Sequence, residues 1–266
     1  MKKVLMVFSC MLLACCHTTA PKTEKQAIVI IQDVSSSYNQ QDKAQEERRH
    51  LTAYLMEHLS PATDIAHLHI NEASGAMSNI DWIKFDSSSI ANMVSSSNRV
   101  KTERAKKLEQ ANMEGVIQIQ QSNMTRELLN RIYNTKYAIS GQTEILGMFH
   151  LVKTIEHQGY KNIRLVFLSD MVNEGEYDMT KRAWPYPNRA YAEEEAQTEH
   201  ANLMTTGMAD STTLCAVRDI EVLFPVGKSS HFQNVHLPFF YERLFRDCGY
   251  AGEVAWIEPK TGVALK

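Results

Sequence analysis

The sequence has no large excess of charge of either sign. Its 266 residues include 28 basic and 31 acidic side chains, which gives a formal net charge of −3 at pH 7. A nucleic-acid-binding protein needs a clustered basic surface, so this balance argues against that class. The one dense basic stretch, residues 99–107, is interleaved with Glu103 and followed by Glu109. We interpret it as the solvated face of a helix, with a docking surface for an acidic partner as the alternative.

Apolar runs long enough to cross a bilayer are absent after the N-terminal segment. That segment begins with the basic residues Lys2 and Lys3 and continues with an apolar stretch over 4–14, which is too short to span a membrane comfortably. A basic start followed by a short apolar run is typical of a signal peptide. We therefore leave the first twenty or so residues out of the fold prediction.

The apolar stretch ends in a short pattern formed by Leu12, Ala14 and Cys15. It resembles the bacterial lipobox, which has Leu at −3, a small residue at −1 and then the cysteine that is lipidated. The resemblance implies a lipid anchor on Cys15, and Cys16 in place of Asp implies delivery to the outer membrane, facing the periplasm. A plain secretory signal cut after Ala20 is the alternative.

These features divide the chain into four parts. Residues 1–20 form the signal peptide and the start of a tether, and residues 21–26 complete the tether. Residues 27–258 have the length of one domain with insertions, and 259–266 form a C-terminal tail. We find no internal repeat.

Cysteine is scarce in the predicted domain. Of the five cysteines, only Cys215 and Cys248 lie beyond the signal region. Because an exported protein meets an oxidising environment, we predict a disulfide between them. Two buried free thiols are the alternative. A zinc site is not expected, since no His or Cys lies at zinc-ligand spacing around either residue.

Short apolar runs with strand character alternate with helical patterns along the domain. Strands are predicted at 27–32, 64–70, 80–85, 163–168, 219–224 and 252–257. Helices are predicted at 40–59, 98–121, 125–134, 144–158, 191–203 and 237–247. This alternation predicts an α/β fold with a mostly parallel central sheet, helices on both faces, and helical insertions.

Oxygen-bearing side chains follow the ends of two predicted strands and one turn. Asp33, Ser35 and Ser37 continue the first strand with the alternate spacing that points side chains the same way. Thr143 follows a glycine turn, and Asp170 follows the strand over 163–168. Ligands of open α/β sheets bind beyond the carboxyl ends of the strands. Carboxylates and hydroxyls gathered there predict a site for a hard divalent cation.

These five residues, in this order and on these elements, resemble the metal-ion-dependent adhesion site of von Willebrand factor A-type and integrin I-type domains. The resemblance covers most of the chain and implies that the two serines and the threonine contact Mg²⁺ or Mn²⁺. It also implies that the two aspartates act largely through water. Ca²⁺ suits the same hard oxygens. The chain departs from the family at Met171, where glycine is common.

Each of these residues also has a purely structural explanation. Ser35 or Ser37 would serve as a turn residue or a helix cap, Thr143 as an N-cap, and Asp170 as a loop carboxylate. The joint occurrence of all five favours a site.

Two other groups of residues have weaker claims to function. His67 and His69 share a strand face and would bind a metal if a third ligand were near, but half-exposed strand histidines are more common. The segment 184–187 pairs two aromatic residues with two prolines. It suits either a partner-binding surface or a stiff loop packed on the domain.

The sequence favours a binding module over an enzyme. A membrane-anchored lipoprotein with such a site would use the cation to hold the acidic side chain of a protein partner. A metal-free structural scaffold is the main alternative. A metal-assisted hydrolase is less favoured, because it needs a general base near the site. The site loops contain no His or Glu except Glu144 and Glu174, and neither is a compelling base. A serine hydrolase lacks support, since no nucleophile-elbow glycine pattern surrounds Ser35.

Overall fold

The computed structural model describes residues 24–35, 44–70, 80–88, 102–135, 143–175, 177–182, 184–223 and 235–257. The predicted lipid-anchor residue Cys15, the predicted ligand Ser37 and the predicted C-terminal tail at 259–266 lie outside the described residues. Within the described part of the chain, no helix combines the length and apolar character that a membrane span requires.

The centre of the molecule is a six-stranded sheet. Its strands are β1 (Lys25–Asp33), β2 (Thr63–Ile70), β3 (Asp81–Ile83), β4 (Tyr160–Leu168), β5 (Val217–Leu223) and β6 (Val254–Ile257). Their order is β3-β2-β1-β4-β5-β6, and every pair is parallel except β2 with the edge strand β3. The chain therefore winds outward from β1 to one side, returns to β4, and winds outward to the other side. This is the doubly wound, Rossmann-like order.

Five α-helices cover the sheet in the described residues. They are α1 (Ala44–His58), α2 (Glu103–Asn134), α3 (Met148–His157), α4 (Arg189–Thr205) and α5 (Leu237–Asp247). Short 3₁₀ turns at Ile145–Gly147 and Met179–Lys181 precede α3 and α4. The predicted α/β class, with a mostly parallel sheet and helices on both faces, is confirmed.

Two apolar cores lie on opposite faces of the sheet. In β1, Val29 and Ile31 face the core shared with α3, α4 and α5, whereas Ile28 and Ile30 face the core shared with α1 and α2. Both faces of β1 are therefore buried, which explains its nearly continuous apolar sequence. A rigid central strand of this kind fixes the position of Asp33 at its carboxyl end.

The helix α2 differs from the prediction of two separate helices. It runs without a break through Ser122 and Asn123, which lie between the two predicted helices. Both residues lie on the exposed side of the helix, and the next residue, Met124, is buried in the core. Tertiary packing of the apolar side therefore outweighs the weak local helix preference of the polar residues. The observed N-cap is Thr102, whose hydroxyl accepts a hydrogen bond from the amide of Ala105.

The disulfide predicted between Cys215 and Cys248 is absent from the structure, where both are free thiols. The two segments are adjacent, since the Leu214 amide donates a hydrogen bond to the Cys248 carbonyl at 2.8 Å. However, Cys248 is buried in an apolar core while Cys215 is exposed. Burial raises the pKa of the Cys248 thiol to about 12, so this thiol behaves as a small apolar residue.

Candidate functional site

The Asp33 carboxylate joins three segments at the carboxyl edge of the sheet. Its Oδ1 atom accepts hydrogen bonds from the Ser35 amide at 2.8 Å and from the Thr143 hydroxyl at 3.2 Å. Its Oδ2 atom accepts a hydrogen bond from the Ser169 hydroxyl at 2.8 Å. Asp33 is fully buried, and Ser35, Thr143 and Ser169 are buried with it. The loops after β1 and β4 and the segment before α3 thus meet at one carboxylate.

Asp170 lies beside this junction, directly after Ser169. Its Oδ1 atom accepts a hydrogen bond from the Val172 amide at 3.0 Å, and the residue is almost completely buried. Of the five predicted ligands, the structure brings Asp33, Ser35 and Thr143 into direct contact and places Asp170 next to their shared partner Ser169. Ser37 lies outside the described residues.

Met171, the departure from the family pattern, adopts the backbone conformation that glycine favours. Its φ is 62°, in the left-handed region. Its amide donates a hydrogen bond to the Ser169 hydroxyl oxygen at 2.9 Å, and its carbonyl accepts one from the Tyr241 hydroxyl at 2.9 Å. The side chain is fully buried. The loop therefore holds a glycine-like conformation despite its side chain.

Asn173 ties the loop after β4 to the segment that carries Thr143. Its side-chain oxygen accepts hydrogen bonds from the amides of Ile145 at 2.5 Å and Leu146 at 3.3 Å. The Glu174 amide donates a further hydrogen bond to the Thr143 carbonyl at 2.8 Å. Because Asn173 is fully buried and its partners are backbone groups, it fixes the distance between the two loops.

Negative charge accumulates around the junction. Burial above all, and then the charges of Asp178 and Asp33, raise the pKa of Glu174. Burial also raises the pKa of Tyr241, to which the nearby charges of Glu144, Asp170 and Asp33 add. Carboxylates that oppose the ionisation of their neighbours are stabilised by a cation.

The chemistry of the assembled groups fits one class of cation. Within the described ranges, no cluster of three or more His, Cys, Asp or Glu side chains is positioned to hold a metal ion. A site built from the predicted ligands therefore depends on hydroxyl oxygens together with two carboxylates, none of which is a soft ligand. Hard cations such as Mg²⁺, Mn²⁺ and Ca²⁺ accept such oxygens, whereas Zn²⁺ and Cu⁺ favour nitrogen and sulfur.

Two residues of the junction were missed by sequence reasoning. Ser169 donates a hydrogen bond to the Oδ2 atom of Asp33. Its position directly before Asp170, at the end of a predicted strand, could have indicated this role. No sequence pattern indicated the role of Asn173, because its hydrogen-bond partners lie 27 and 28 residues away in the sequence.

The two histidines of β2 lie on the same strand face as Ile65, which belongs to the core shared with α1 and α2. His67 is buried, and its Nε2 atom lies 3.0 Å from the Gln32 side-chain oxygen. The rings of His67 and His69 meet edge to face with centroids 4.6 Å apart. Burial lowers the pKa values of His67 and His69 to about 3 and about 4, so both are neutral at pH 7. No third metal ligand joins them among the described residues.

The aromatic segment 184–187 packs on the domain. Tyr186 is buried and its ring stacks on Phe240 of α5 with centroids 5.7 Å apart. Trp184 is partly buried against the same core and lies 5.7 Å from the Tyr186 ring. This arrangement agrees with the loop-packing interpretation rather than with an exposed aromatic surface.

No protein-family model matches the sequence, and comparison with curated proteins gives no match. Among solved structures, the chain is similar to proximal thread matrix protein 1 from the mussel byssus, with 11% identity over 88% of this chain and 42% of that one, at a TM-score of 0.38. It is also similar to the SpRpn10 VWA domain, with 9% identity over 90% of each chain, at a TM-score of 0.37. The chain thus spans less than half of the mussel protein. The strand order and helix placement described above, rather than these likenesses, define the fold.

Proposed function

We propose that this protein is a lipid-anchored lipoprotein of the bacterial cell envelope whose vWA-like domain binds a divalent cation and uses it to hold a protein partner. The observation that carries the proposal is the buried Asp33 carboxylate, which accepts hydrogen bonds from the Thr143 and Ser169 hydroxyls and from the Ser35 amide. Three separate segments converge on it, which a simple helix cap does not require.

The hydrogen bonds leave the hydroxyl oxygens suited to a cation. The Thr143 hydroxyl donates a hydrogen bond to Asp33, so the lone pairs of its oxygen remain available to bind a cation. Ser35 is held beside the same carboxylate through its amide. In the proposed site these oxygens, Ser37 and the two aspartates hold Mg²⁺, Mn²⁺ or Ca²⁺. The bound cation supplies a positive contact for a carboxylate of the partner, and no residue is assigned a catalytic role.

Cation binding tests the proposal directly. We expect calorimetry on the full chain to show binding of Mg²⁺ or Mn²⁺, and Asp33→Asn to abolish it. The matched control is Asp81→Asn, which changes an exposed carboxylate at the start of β3 and leaves cation binding intact. If the parent binds none of the three cations, or if Asp33→Asn binds them as the parent does, the proposal fails and a metal-free scaffold takes its place.

The anchor has a separate test. In a Gram-negative host grown with labelled palmitate, the parent is expected to incorporate label and to sediment with membranes. Cys15→Ser is expected to lose both properties, and Cys16→Ser to keep them. Label retained by Cys15→Ser would contradict the lipidation site.

A further inference from the structure

Hydrogen bonds hold the three segments of the candidate cation site together. Asp33, after β1, is joined to the Thr143 hydroxyl before α3 and to the Ser169 hydroxyl after β4. A further link joins the Thr143 segment directly to the loop after β4 and does not pass through Asp33. Asn173 makes this link, because its side-chain oxygen accepts hydrogen bonds from two backbone amides of the segment that begins at Thr143.

Asn173 is itself held in place by its own loop. Its side-chain nitrogen donates a hydrogen bond to the Tyr177 carbonyl at 2.6 Å, and its backbone carbonyl accepts one from the Met179 amide at 2.9 Å. The side chain is fully buried, and Ile145 and Leu146, which supply the two amides, are buried in the core. The side chain therefore acts as a spacer of fixed length between the loop after β4 and the segment before α3.

This spacer sets the separation of two proposed cation ligands without being a ligand. Thr143 lies two residues before the first amide that binds Asn173, and Asp170 lies three residues before Asn173. Both proposed ligands are buried, and short segments connect them to the spacer. The side-chain oxygen of Asn173 already accepts two hydrogen bonds, so it is not offered to the cation.

A site built from few and immobile oxygens suits Mg²⁺ better than Ca²⁺. Mg²⁺ requires near-ideal octahedral geometry with oxygens at about 2.0–2.1 Å and completes its shell with water. Ca²⁺ takes about six to eight oxygens at about 2.3–2.6 Å in flexible geometry, often from a bidentate carboxylate. Both oxygens of Asp33 accept hydrogen bonds from neighbouring groups, which prevents this carboxylate from turning to bind a larger cation through both oxygens.

We infer that Asn173 is a positioning residue that gives the proposed site its preference for Mg²⁺ over Ca²⁺. The inference rests on the proposed function, because it concerns the cation of that site. Replacement of Asn173 allows the two loops to separate, which weakens the binding of the cation with the stricter geometry. The hydrogen bond from the Glu174 amide to the Thr143 carbonyl remains, so the site becomes looser but is not lost.

Calorimetry of the full chain with Mg²⁺ and with Ca²⁺ tests the inference. The parent is expected to bind Mg²⁺ more tightly than Ca²⁺. In Asn173→Ala we expect the Mg²⁺ affinity to fall about tenfold, as on loss of other groups that orient metal ligands, and the Ca²⁺ affinity to fall less than about threefold. The ratio of the two affinities is the readout, because a general loss of stability lowers both affinities together.

A matched control is Thr213→Ala. Thr213 is also a buried side chain that accepts a hydrogen bond from a backbone amide, that of Asp210 at 2.8 Å. It lies before β5, at the opposite edge of the sheet from the candidate site, so its replacement is expected to keep the parental ratio. Asn173→Gln covers the case in which Asn173→Ala does not fold. It keeps the amide group on a side chain that is one methylene longer, and the altered spacer is also expected to lower the ratio.

The outcomes separate this inference from the proposed function. A parental ratio in the folded Asn173 variants, or an equal fall of both affinities, overturns the inference and leaves the proposed function intact. A parent that binds Ca²⁺ at least as tightly as Mg²⁺ does the same. A parent that binds neither of these cations nor Mn²⁺ overturns the proposed function itself.

Discussion

Met171 has a backbone conformation that is unfavourable for a residue with a side chain. Its left-handed φ of 62° costs about 1–2 kcal/mol relative to glycine, whereas its buried side chain contributes about 2–5 kcal/mol. Both Met171→Ala and Met171→Gly should therefore lower the free energy of unfolding. Because only glycine relieves the backbone strain, we expect Met171→Gly to be the more stable of the two by about 0.5–1 kcal/mol, measured by urea unfolding.

The control is an exposed helix position, where a protein with alanine is normally more stable than one with glycine. At Ala201, exposed in the interior of α4, a change to glycine should cost about 1 kcal/mol. If Met171→Ala is as stable as Met171→Gly, the backbone at this position is not strained, and the loop does not depend on a glycine-like conformation.

Prediction at the residue scale succeeded where the position along a strand was decisive. Asp33 follows a strongly apolar run, and that run alone placed its carboxylate at the sheet edge. Ser169 and Asn173 were missed because their roles depend on hydrogen bonds between loops that are far apart in the sequence. Local spacing carries no information about such partners.

At the scale of elements, the two parts of α2 differ in how far their side chains are buried. Its C-terminal part buries Met124, Leu128 and Ile132, whereas no residue from Glu103 to Asn123 is fully buried among the described residues. Leu128 is fully buried, and Leu108 is 65% exposed. We expect Leu128→Ala to lower the free energy of unfolding by about 2–4 kcal/mol and Leu108→Ala to change it by less than about 0.5 kcal/mol.

Urea unfolding of the two variants checks this contrast, with the same substitution in the same helix. A cost of more than about 1 kcal/mol for Leu108→Ala would show that the helix around Leu108 packs against another part of the protein. The sequence predicted two helices, at 98–121 and 125–134, where the structure has one continuous helix, and it did not indicate that burial is confined to the C-terminal part.

At the scale of the whole molecule, the strand order decides where the candidate site lies. β1 pairs with β2 on one side and with β4 on the other, so the chain reverses its winding direction at β1 and β4. Asp33 and Asp170 leave the carboxyl ends of these two neighbouring strands, at the crevice where such sheets bind ligands. The alternation of strands and helices predicted the class of fold, but it could not give the pairing of β1 with β4 across more than a hundred residues.

Acid stability is also a property of the whole molecule, because buried histidines oppose protonation of the folded state. Burial lowers the pKa of His67 to about 3, with the charges of His69 and Arg131 adding to the effect. Burial lowers the pKa of His69 to about 4, against the opposing charge of Asp81. In the unfolded chain both take up a proton near pH 6.5.

Between these pH values the unfolded state therefore binds more protons than the folded state. The contribution of the two neutral histidines to stability is complete above pH 6.5 and is lost as the pH falls toward 4. The loss is up to about 1.4 kcal/mol per pH unit for the buried His67 and smaller for the partly exposed His69, which solvent screens. Urea unfolding between pH 7 and pH 4.5 should show this loss. The slope should become shallower in the double variant His67→Gln/His69→Gln, because glutamine does not titrate. His157→Gln, an exposed change at the end of α3, should keep the parental slope, and a parental slope in the double variant would show that other groups control the acid sensitivity.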